Sequence, residues 1–199
     1  VLWKFSQISG VGIELRENSR ELGLKSLEMN GLSNRFKLLH GDLRELELDE
    51  KFSLITSTPP YYTDAEGPIS PHDDKSAARF ELNGNIEDYF ETADRHLLEN
   101  GMFITVYPYQ YRDRVYTAAS KFKMFINKRV DMVPRSGKQP LISMYSISYN
   151  DNAETVSTIT VRDKAGKYTD EYDQARIICG FQSVDKEKIV DKIKSFVSI

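Results

Sequence analysis

The clearest candidates for chemistry in this 199-residue chain form the run Thr58-Pro59-Pro60-Tyr61. The two prolines fix the backbone φ angle and remove two N–H donors, so the carbonyl groups of the run stay free to accept hydrogen bonds. A tyrosine directly after them can lie flat against a planar group. The run can therefore grip an amine on a flat ring, and a plain strand-terminating turn with a packed tyrosine accounts for it equally well.

Two acidic residues stand at comparable places earlier in the chain. Glu14 ends one predicted strand and Asp42 follows another, as Thr58 follows a third. In a doubly wound sheet, an acid at a strand end can accept hydrogen bonds from both hydroxyls of a ribose. The next acid along the edge can meet the amino group of a purine. Taken singly, such acids are more often helix caps or solvated charges.

The elements that must position these residues follow from hydrophobic spacing and from Gly, Pro and Asn stops. Strands are predicted at 10–16, 36–40, 52–57, 102–107, 124–133, 141–149 and 155–161, and helices at 17–30, 86–100, 111–123 and 185–199. Strands and helices alternate up to residue 123, and strands dominate after it. This order predicts an α/β fold with a mostly parallel sheet, helices on both faces and a β-rich C-terminal end.

Composition narrows the class of protein. The chain is 40% hydrophobic and 11% aromatic, with a net charge of −3, which excludes a disordered polymer and disfavours a basic nucleic-acid wrapper. No apolar run approaches 18 residues, so no membrane span or membrane partner is expected. One cysteine and three scattered histidines give no metal site, and a reducing, cytosolic setting is the default. Cys179 is expected to be buried and inert.

Together these residues resemble class I S-adenosylmethionine (SAM) methyltransferases with an Asn-Pro-Pro-Tyr motif, and most of all the bacterial-type tRNA adenine-N6 methyltransferases. The resemblance covers nearly the whole chain. It rests on residues 12–14, 30–32, Arg35, Gly41-Asp42, Thr58–Tyr61, 78–81, 86–88, 160–163 and 166–172. It implies a Rossmann-like methyltransferase sheet, SAM as cofactor and a structured RNA, tRNA above all, as substrate.

The resemblance also implies roles for single residues. Glu14 would bind the ribose of SAM and Asp42 its adenine, with Thr58 beside the cofactor. Thr58, Pro59, Pro60 and Tyr61 would hold the target amine during direct methyl transfer to nitrogen, with no metal. Tyr61 would stack on the substrate base.

Three basic residues are further candidates for the substrate. Arg79, Arg135 and Lys138 could contact RNA phosphates, the last two from the Pro134–Lys138 loop. Ordinary solvated surface is the commoner explanation for each of them. Tyr107 lies at the end of the strand that comes after the Thr58–Tyr61 run. It either lines the substrate pocket or only terminates its strand.

The chain departs from the family pattern in its glycine-rich loop, which is absent. Residues 9–12 (Ser-Gly-Val-Gly) lie in a predicted strand and do not lead into a helix. The first strand of the family sheet is absent as well, and it would stand between the strands at 11–15 and 52–57. We therefore expect residues 1–199 to be one methyltransferase domain lacking its first strand and glycine-rich loop, ending in an amphipathic helix at 185–199.

A second departure is Thr58, where the family usually has Asn. The threonine hydroxyl is shorter than an amide, and a weakened hydrogen bond costs about 0.5–1.5 kcal/mol. Thr58 is therefore compatible with slower catalysis, an altered substrate or a domain that no longer catalyses. The alternatives to RNA adenine are another amine or amide, such as protein glutamine or guanine, and a non-catalytic domain that binds RNA or protein.

The absent glycine loop gives a direct expectation for cofactor binding. Such a loop brings backbone amides and a helix N-terminus up to the cofactor, and the 199-residue chain lacks those groups. Calorimetry should therefore show weak or no SAM binding by this chain and tighter binding by a version extended upstream. Tight binding by the 199-residue chain would contradict this placement of the cofactor site.

Overall fold

The computed structural model describes residue 2, residues 4–61 and residues 84–181 of the chain. Its strands are β1 (Gly10–Glu14), β2 (Phe36–His40), β3 (Phe52–Ser57), β4 (Leu97–Pro108), β5 (Phe125–Val133), β6 (Ile142–Ser148) and β7 (Thr155–Thr160). Its α-helices are α1 (Glu17–Met29), α2 (Ile86–His96), α3 (Arg112–Lys121) and α4 (Asp170–Ile178), and a 3₁₀ turn at Tyr109–Tyr111 precedes α3. Among the described helices, none is long and apolar enough to cross a membrane.

The described strands form two sheets. β1 and β2 pair in parallel, and the other five strands lie in the order β3-β4-β6-β5-β7. β3 is parallel to β4 and β5 is parallel to β7, whereas β6 runs antiparallel to both of its neighbours. Parallel pairs joined through helices, followed by a β-rich end, confirm the predicted α/β class. Within the described part of the chain, β1 and β3 each lie at the edge of a sheet.

The glycines of β1 make room for a side chain of β2. A Cβ atom on Gly12 would stand 2.9 Å from the ring of Phe36, and one on Gly10 would stand 3.2 Å from it. The Phe36 ring thus lies over the two glycines of the neighbouring strand. Gly10 and Gly12 therefore lie in a strand and serve its packing, as the sequence pattern predicted, rather than forming a loop into a helix.

The helix α2 begins at a complete capping box and buries one face. The Asn85 side chain accepts from the Asp88 N–H (3.1 Å), and the Asp88 carboxylate accepts from the Asn85 N–H (2.8 Å). Ile86, Phe90 and Ala93 recur at helical spacing and are fully buried. They belong to the core cluster that the five-stranded sheet forms with α2 and α3.

The predicted helix at 86–100 is too long, because α2 ends at His96. Leu97 is already extended (φ −84°, ψ 136°), pairs with Phe52 of β3 and is fully buried. Pairing with β3 and full burial favour a strand at Leu97, although the helical spacing of apolar residues predicted a helix as far as Asn100. The expectation for Cys179 is also wrong: it caps the C-terminus of α4 and its side chain is exposed.

A buried ion pair between Arg129 and Asp131 holds β5 in place. Asp131 on β5 is only 5% exposed, and its carboxylate accepts from Arg129 Nε (3.0 Å) and from the Ser143 hydroxyl of β6 (2.6 Å). Arg129 also donates to the Tyr116 hydroxyl of α3 (2.7 Å). A buried charge needs such partners, so this network fixes β5 against both β6 and α3.

Part of the predicted organisation lies outside the described residues. The stretch at 63–85 is polar and contains Pro and Gly, so the sequence predicts a long loop there, and its residues 63–83, which include Arg79, lie outside the described residues. The helix predicted at 185–199 lies outside them as well. The division of residues 1–199 into one domain stays a prediction.

The capping box of α2 gives a stability prediction. Asn85→Ala removes one side-chain acceptor at the helix N-terminus and should lower the free energy of unfolding by about 1 kcal/mol. Urea denaturation followed by circular dichroism measures this change. Asn152→Ala, in an exposed segment, is the matched control and should leave the midpoint unchanged. Equal effects of the two changes would contradict a stabilising cap.

Candidate functional site

The three predicted site positions lie at, or directly after, the C-terminal ends of parallel strands. Glu14 is the last residue of β1, Asp42 comes two residues after β2, and Thr58 follows β3 directly. Because β1 is parallel to β2, Glu14 and Asp42 lie at the same edge of their sheet. In open α/β sheets, ligands bind at this edge.

The Thr58–Tyr61 run leaves β3 as a partly buried turn. Pro59 and Pro60 are buried, Thr58 is exposed and Tyr61 is half-buried. The end of β3 is held by a hydrogen bond from the Ser57 hydroxyl to the Thr105 hydroxyl of β4 (2.9 Å). The buried prolines therefore fix the turn while Thr58 stays accessible.

Tyr107 packs against the run from the next strand. Its ring is fully buried near the end of β4 and meets the Tyr61 ring edge-on, with 5.9 Å between the ring centroids. The Tyr107 ring is also 6.4 Å from that of Tyr111. Tyr107 thus supports Tyr61 directly and does more than end its strand.

The Glu14 carboxylate is oriented by the backbone that follows it. Its Oε1 accepts from the N–H of Arg16 (2.9 Å), and the Glu14 carbonyl accepts from the N–H of Gly41 (3.1 Å). The second contact ties the end of β1 to the turn that carries Asp42. The two acids are therefore positioned by one connected piece of backbone.

Arg44 forms hydrogen bonds with both oxygens of the Asp42 carboxylate. Its backbone N–H and its Nε each donate to Oδ1 (2.9 Å), Nε also reaches Oδ2 (3.0 Å), and Nη2 donates to Oδ2. These hydrogen bonds hold the pKa of Asp42 below its usual value of 3.8. Asp42 is therefore an ionised acceptor throughout the neutral range.

Tyr89 on α2 lies within reach of both acids and is a candidate site residue that the sequence alone did not single out. Burial raises the pKa of the Tyr89 hydroxyl, and the negative charges of Glu14, Asp42 and Asp88 raise it further. The ring also packs against the core cluster. Its helical spacing indicated a core residue, and only the fold brings its hydroxyl close to both acids.

The residue after Asp42 anchors the turn to α2. The Leu43 carbonyl accepts from the Thr92 hydroxyl (3.0 Å) and from Arg95 Nη2 (2.8 Å). Since α2 is packed into the core of the five-stranded sheet, these bonds connect the β1–β2 edge with the larger sheet.

The predicted basic residues lie farther along the larger sheet. Arg135 and Lys138 are exposed and follow the end of β5, three strands from β3 in the sheet order. Arg79 lies outside the described residues. Across the described ranges, no group of three or more His, Cys, Asp or Glu side chains is placed to hold a metal ion.

Comparison with known proteins finds relatives that are named tRNA methyltransferases. No family model matches the chain. It is 22% identical over 162 residues to the tRNA1(Val) (adenine(37)-N6)-methyltransferase of Bacteroides thetaiotaomicron, which covers 81% of this chain and 68% of the relative. It is 26% and 27% identical to the proteins of the same name from Flavobacterium psychrophilum and Flavobacterium johnsoniae, each over 80% of this chain and 68% of the relative.

Solved structures match at the level of the fold. A protein from Agrobacterium tumefaciens described as a predicted O-methyltransferase superposes with a TM-score of 0.62 at 16% identity, over 80% of this chain and 73% of that one. A protein from Listeria monocytogenes assigned to the class I SAM-dependent methyltransferases gives 0.54 at 18% identity, over 87% and 54%. The chain thus has the Rossmann-like class I methyltransferase fold.

The Arg44–Asp42 contact gives a prediction for pH. Arg44→Gln should raise the pKa of Asp42 toward 3.8, because the charged hydrogen bonds that favour the carboxylate are lost. NMR titration of the side-chain carboxyl measures the change. A lowered pKa adds stability above about pH 4, which disappears as the pH falls through the pKa of Asp42 in the folded protein. The two proteins should therefore differ in stability at neutral pH and converge in acid.

The matched control removes another surface arginine near an acid. Arg112 lies 3.8 Å from the Asp113 carboxylate, as Arg44 lies beside that of Asp42. Arg112→Gln also removes one positive charge, so it changes the net charge by the same amount as Arg44→Gln. It should leave the Asp42 titration where it is. An unchanged Asp42 pKa in Arg44→Gln would contradict the assigned cause.

Proposed function

We propose that this protein is a SAM-dependent methyltransferase that methylates the N6 amine of adenine in tRNA. The observation that carries the proposal is the position of Thr58–Tyr61. The run follows β3 at the carboxyl-end edge of a class I methyltransferase fold, with both prolines buried and Tyr61 braced by Tyr107. Relatives named tRNA adenine-N6 methyltransferases, aligned over about 80% of the chain, support the choice of substrate.

Glu14 and Asp42 are proposed to bind the cofactor. Glu14 is held at the end of β1, where its carboxylate can accept from the two ribose hydroxyls. Asp42 is held ionised at the same edge and can accept from the adenine amino group of SAM. The ribose hydroxyls and the adenine amino group donate hydrogen bonds, and the two carboxylates supply the acceptors that they need, so the residues fit this part of SAM. Bound SAM supplies a methyl group on a positively charged sulfur, which is a strong electrophile.

Arg44 would share Asp42 with the cofactor. An ionised carboxylate offers about four acceptor positions, and the backbone N–H and guanidinium of Arg44 contact both oxygens. An adenine amino group would therefore replace one Arg44 contact. Since the Arg44 side chain is exposed, water can replace the contact that it gives up.

Thr58, Pro59, Pro60 and Tyr61 are proposed to hold the target adenine. The free carbonyl of Pro59 and the Thr58 hydroxyl accept from the hydrogens of the N6 amine, which orients its lone pair toward the methyl group. These acceptors also favour the positive charge that develops on nitrogen as the C–N bond forms. Tyr61 covers the face of the base, which offsets part of the cost of unstacking it from the RNA.

Positioning supplies the acceleration in this scheme. Bound SAM would supply the methyl group and keep the C–S electron pair on its sulfur as the amine nitrogen bonds to the methyl carbon, and the nitrogen would then lose a proton to water. None of these steps needs a strong base on the protein. Holding the two reactants together and aligned is the main contribution of the site. The cytoplasm is the proposed location, in keeping with tRNA as the proposed substrate.

Substitutions at Tyr61 and Thr58 test the proposal in the full-length protein. Tyr61→Ala removes the stacking surface, worth about 1–3 kcal/mol, and should slow single-turnover methyl transfer roughly 5- to 150-fold. Thr58→Asn restores the longer amide acceptor and should keep or raise the rate on adenine. The assay follows labelled methyl transfer onto bulk tRNA from cells that lack the enzyme.

The outcomes separate the alternatives. A Thr58→Asn variant that loses activity while the parent is active would show that Thr58 is suited to another acceptor, such as guanine or a protein glutamine. No transfer by either protein with cofactor bound would favour a non-catalytic RNA- or protein-binding domain.

A further inference from the structure

A cluster of basic and aromatic side chains lies beyond the proposed active site. We call it the Tyr168 cluster, and it consists of Tyr168, Arg162, Arg176, Arg135 and Lys138. The guanidinium of Arg162 stands 4.2 Å from the centroid of the Tyr168 ring, and that of Arg176 stands 4.7 Å from it. Tyr168 itself is exposed. Two arginines are thus held on one exposed aromatic ring.

A short hairpin orients the central arginine of the cluster. Arg162 and Tyr168 pair as an antiparallel bridge, and the turn between them closes at Gly166, whose φ of 85° favours glycine. Arg162 Nη1 donates to the Gly166 carbonyl (2.7 Å). This contact orients the guanidinium through a neutral acceptor, so its charge is not cancelled there. Arg176 differs, because its Nη1 donates to the Asp173 carboxylate (3.0 Å).

The Pro134–Lys138 loop is joined to this hairpin. The N–H of Ser136 donates to the Arg162 carbonyl (2.8 Å), and the Arg135 guanidinium lies beside Gly166. Residues 134–138 and 161–168 together hold five basic residues and one acidic residue, whereas the whole chain has a net charge of −3. Positive charge is therefore concentrated in the hairpin and the Pro134–Lys138 loop, whereas the first turn of α4 beside them carries Asp170, Glu171 and Asp173, the last of which pairs with Arg176.

The sheet topology puts the cluster on the same edge as Thr58. β3, β4, β5 and β7 all end at this edge, and β6, which runs the other way, begins there. β7 is four strand spacings from β3, a distance of about 19 Å along the edge. A further arginine–tyrosine pair, Arg112 over Tyr109 at 4.7 Å, follows β4 between the two places.

We propose that the Tyr168 cluster is a second RNA contact site, which binds backbone phosphates of the tRNA about 19 Å from the adenine held at Thr58–Tyr61. This rests on the proposed function. Guanidiniums held on a ring present a fixed planar set of donors, which matches phosphate oxygens. Phosphate contacts of this kind set the position of a nucleic acid without reading its sequence. The cluster would thus set the register in which the tRNA presents its base.

Two variants and one control test the site in the full-length protein. Arg162→Gln removes the central charge, and Arg135→Gln/Lys138→Gln removes two loop charges without changing the hairpin contacts of Arg162. Lys121→Gln is the control, because Lys121 also lies over an aromatic ring, that of Phe122 at 5.0 Å. It ends α3 at the opposite edge of the sheet, near the start of β5. Circular dichroism checks that each variant is folded.

Binding of unmodified tRNA is measured by fluorescence anisotropy over a series of KCl concentrations. Each cluster variant should weaken binding about three- to tenfold at low salt and reduce the slope of log K against log salt by about 0.7–0.9 for each lost phosphate contact. Calorimetric SAM binding should stay unchanged. KM for tRNA should rise, whereas kcat on a short oligonucleotide that carries only the target loop should not change. Lys121→Gln should match the parent within about twofold.

The outcomes distinguish this proposal from the one on which it rests. Parent-like tRNA affinity and salt slope in both cluster variants, with methyl transfer intact, would overturn the second contact site alone. A parent that neither binds nor methylates tRNA would overturn the proposed function and this site together. A loss of SAM binding in the variants would assign the cluster to the cofactor and also overturn the proposal.

Discussion

The arrangement of the candidate site depends on the hydrogen bonds that α2 donates to the carbonyl of Leu43. The two described sheets share no strand pairing, so their edges need another connection. Thr92 and Arg95 of α2 both donate to this carbonyl, directly after Asp42. The same helix buries Phe90 and Ala93 in the core of the larger sheet. One helix thus holds the turn with the second acid on one side and the sheet that carries Thr58 on the other.

The direction of the strands explains why chemistry gathers at a single edge. Parallel strands end on the same side, which brings strand exits with polar residues together. β6 adds a second effect, because its reversed direction places both ends of the 134–141 loop at that edge. The edge therefore carries a rigid proline turn after β3, the tyrosine of β4 that supports Tyr61, and basic loops after β5 and β7. The candidate site residues are therefore spread along this edge of the sheet.

The sequence predicted the strands around the site better than it predicted the partners of the site residues. β2 and β3 fall at the predicted residues because Gly41 and the proline pair stop them sharply. The predicted end of α2 was wrong, because the burial of Leu97 depends on its pairing with β3, which is distant in the chain. Arg44 and Tyr89 could not be assigned from spacing. An exposed arginine and a tyrosine on the core face of a helix have many possible neighbours. Only the folded structure shows that Arg44 contacts Asp42 and that Tyr89 lies near Glu14 and Asp42.

The uneven burial of the molecule has a consequence for its cooperativity. No residue from Gly10 to His40 is fully buried, whereas the residues of the core cluster lie between Ile86 and Ile147. Elements with little buried apolar surface open at lower free energy than those in a core, so their amide hydrogens exchange first with solvent. The acids at the ends of β1 and β2 thus belong to the less stable part of the protein. A ligand held by these acids would stabilise the elements that position them, in proportion to its concentration over its dissociation constant.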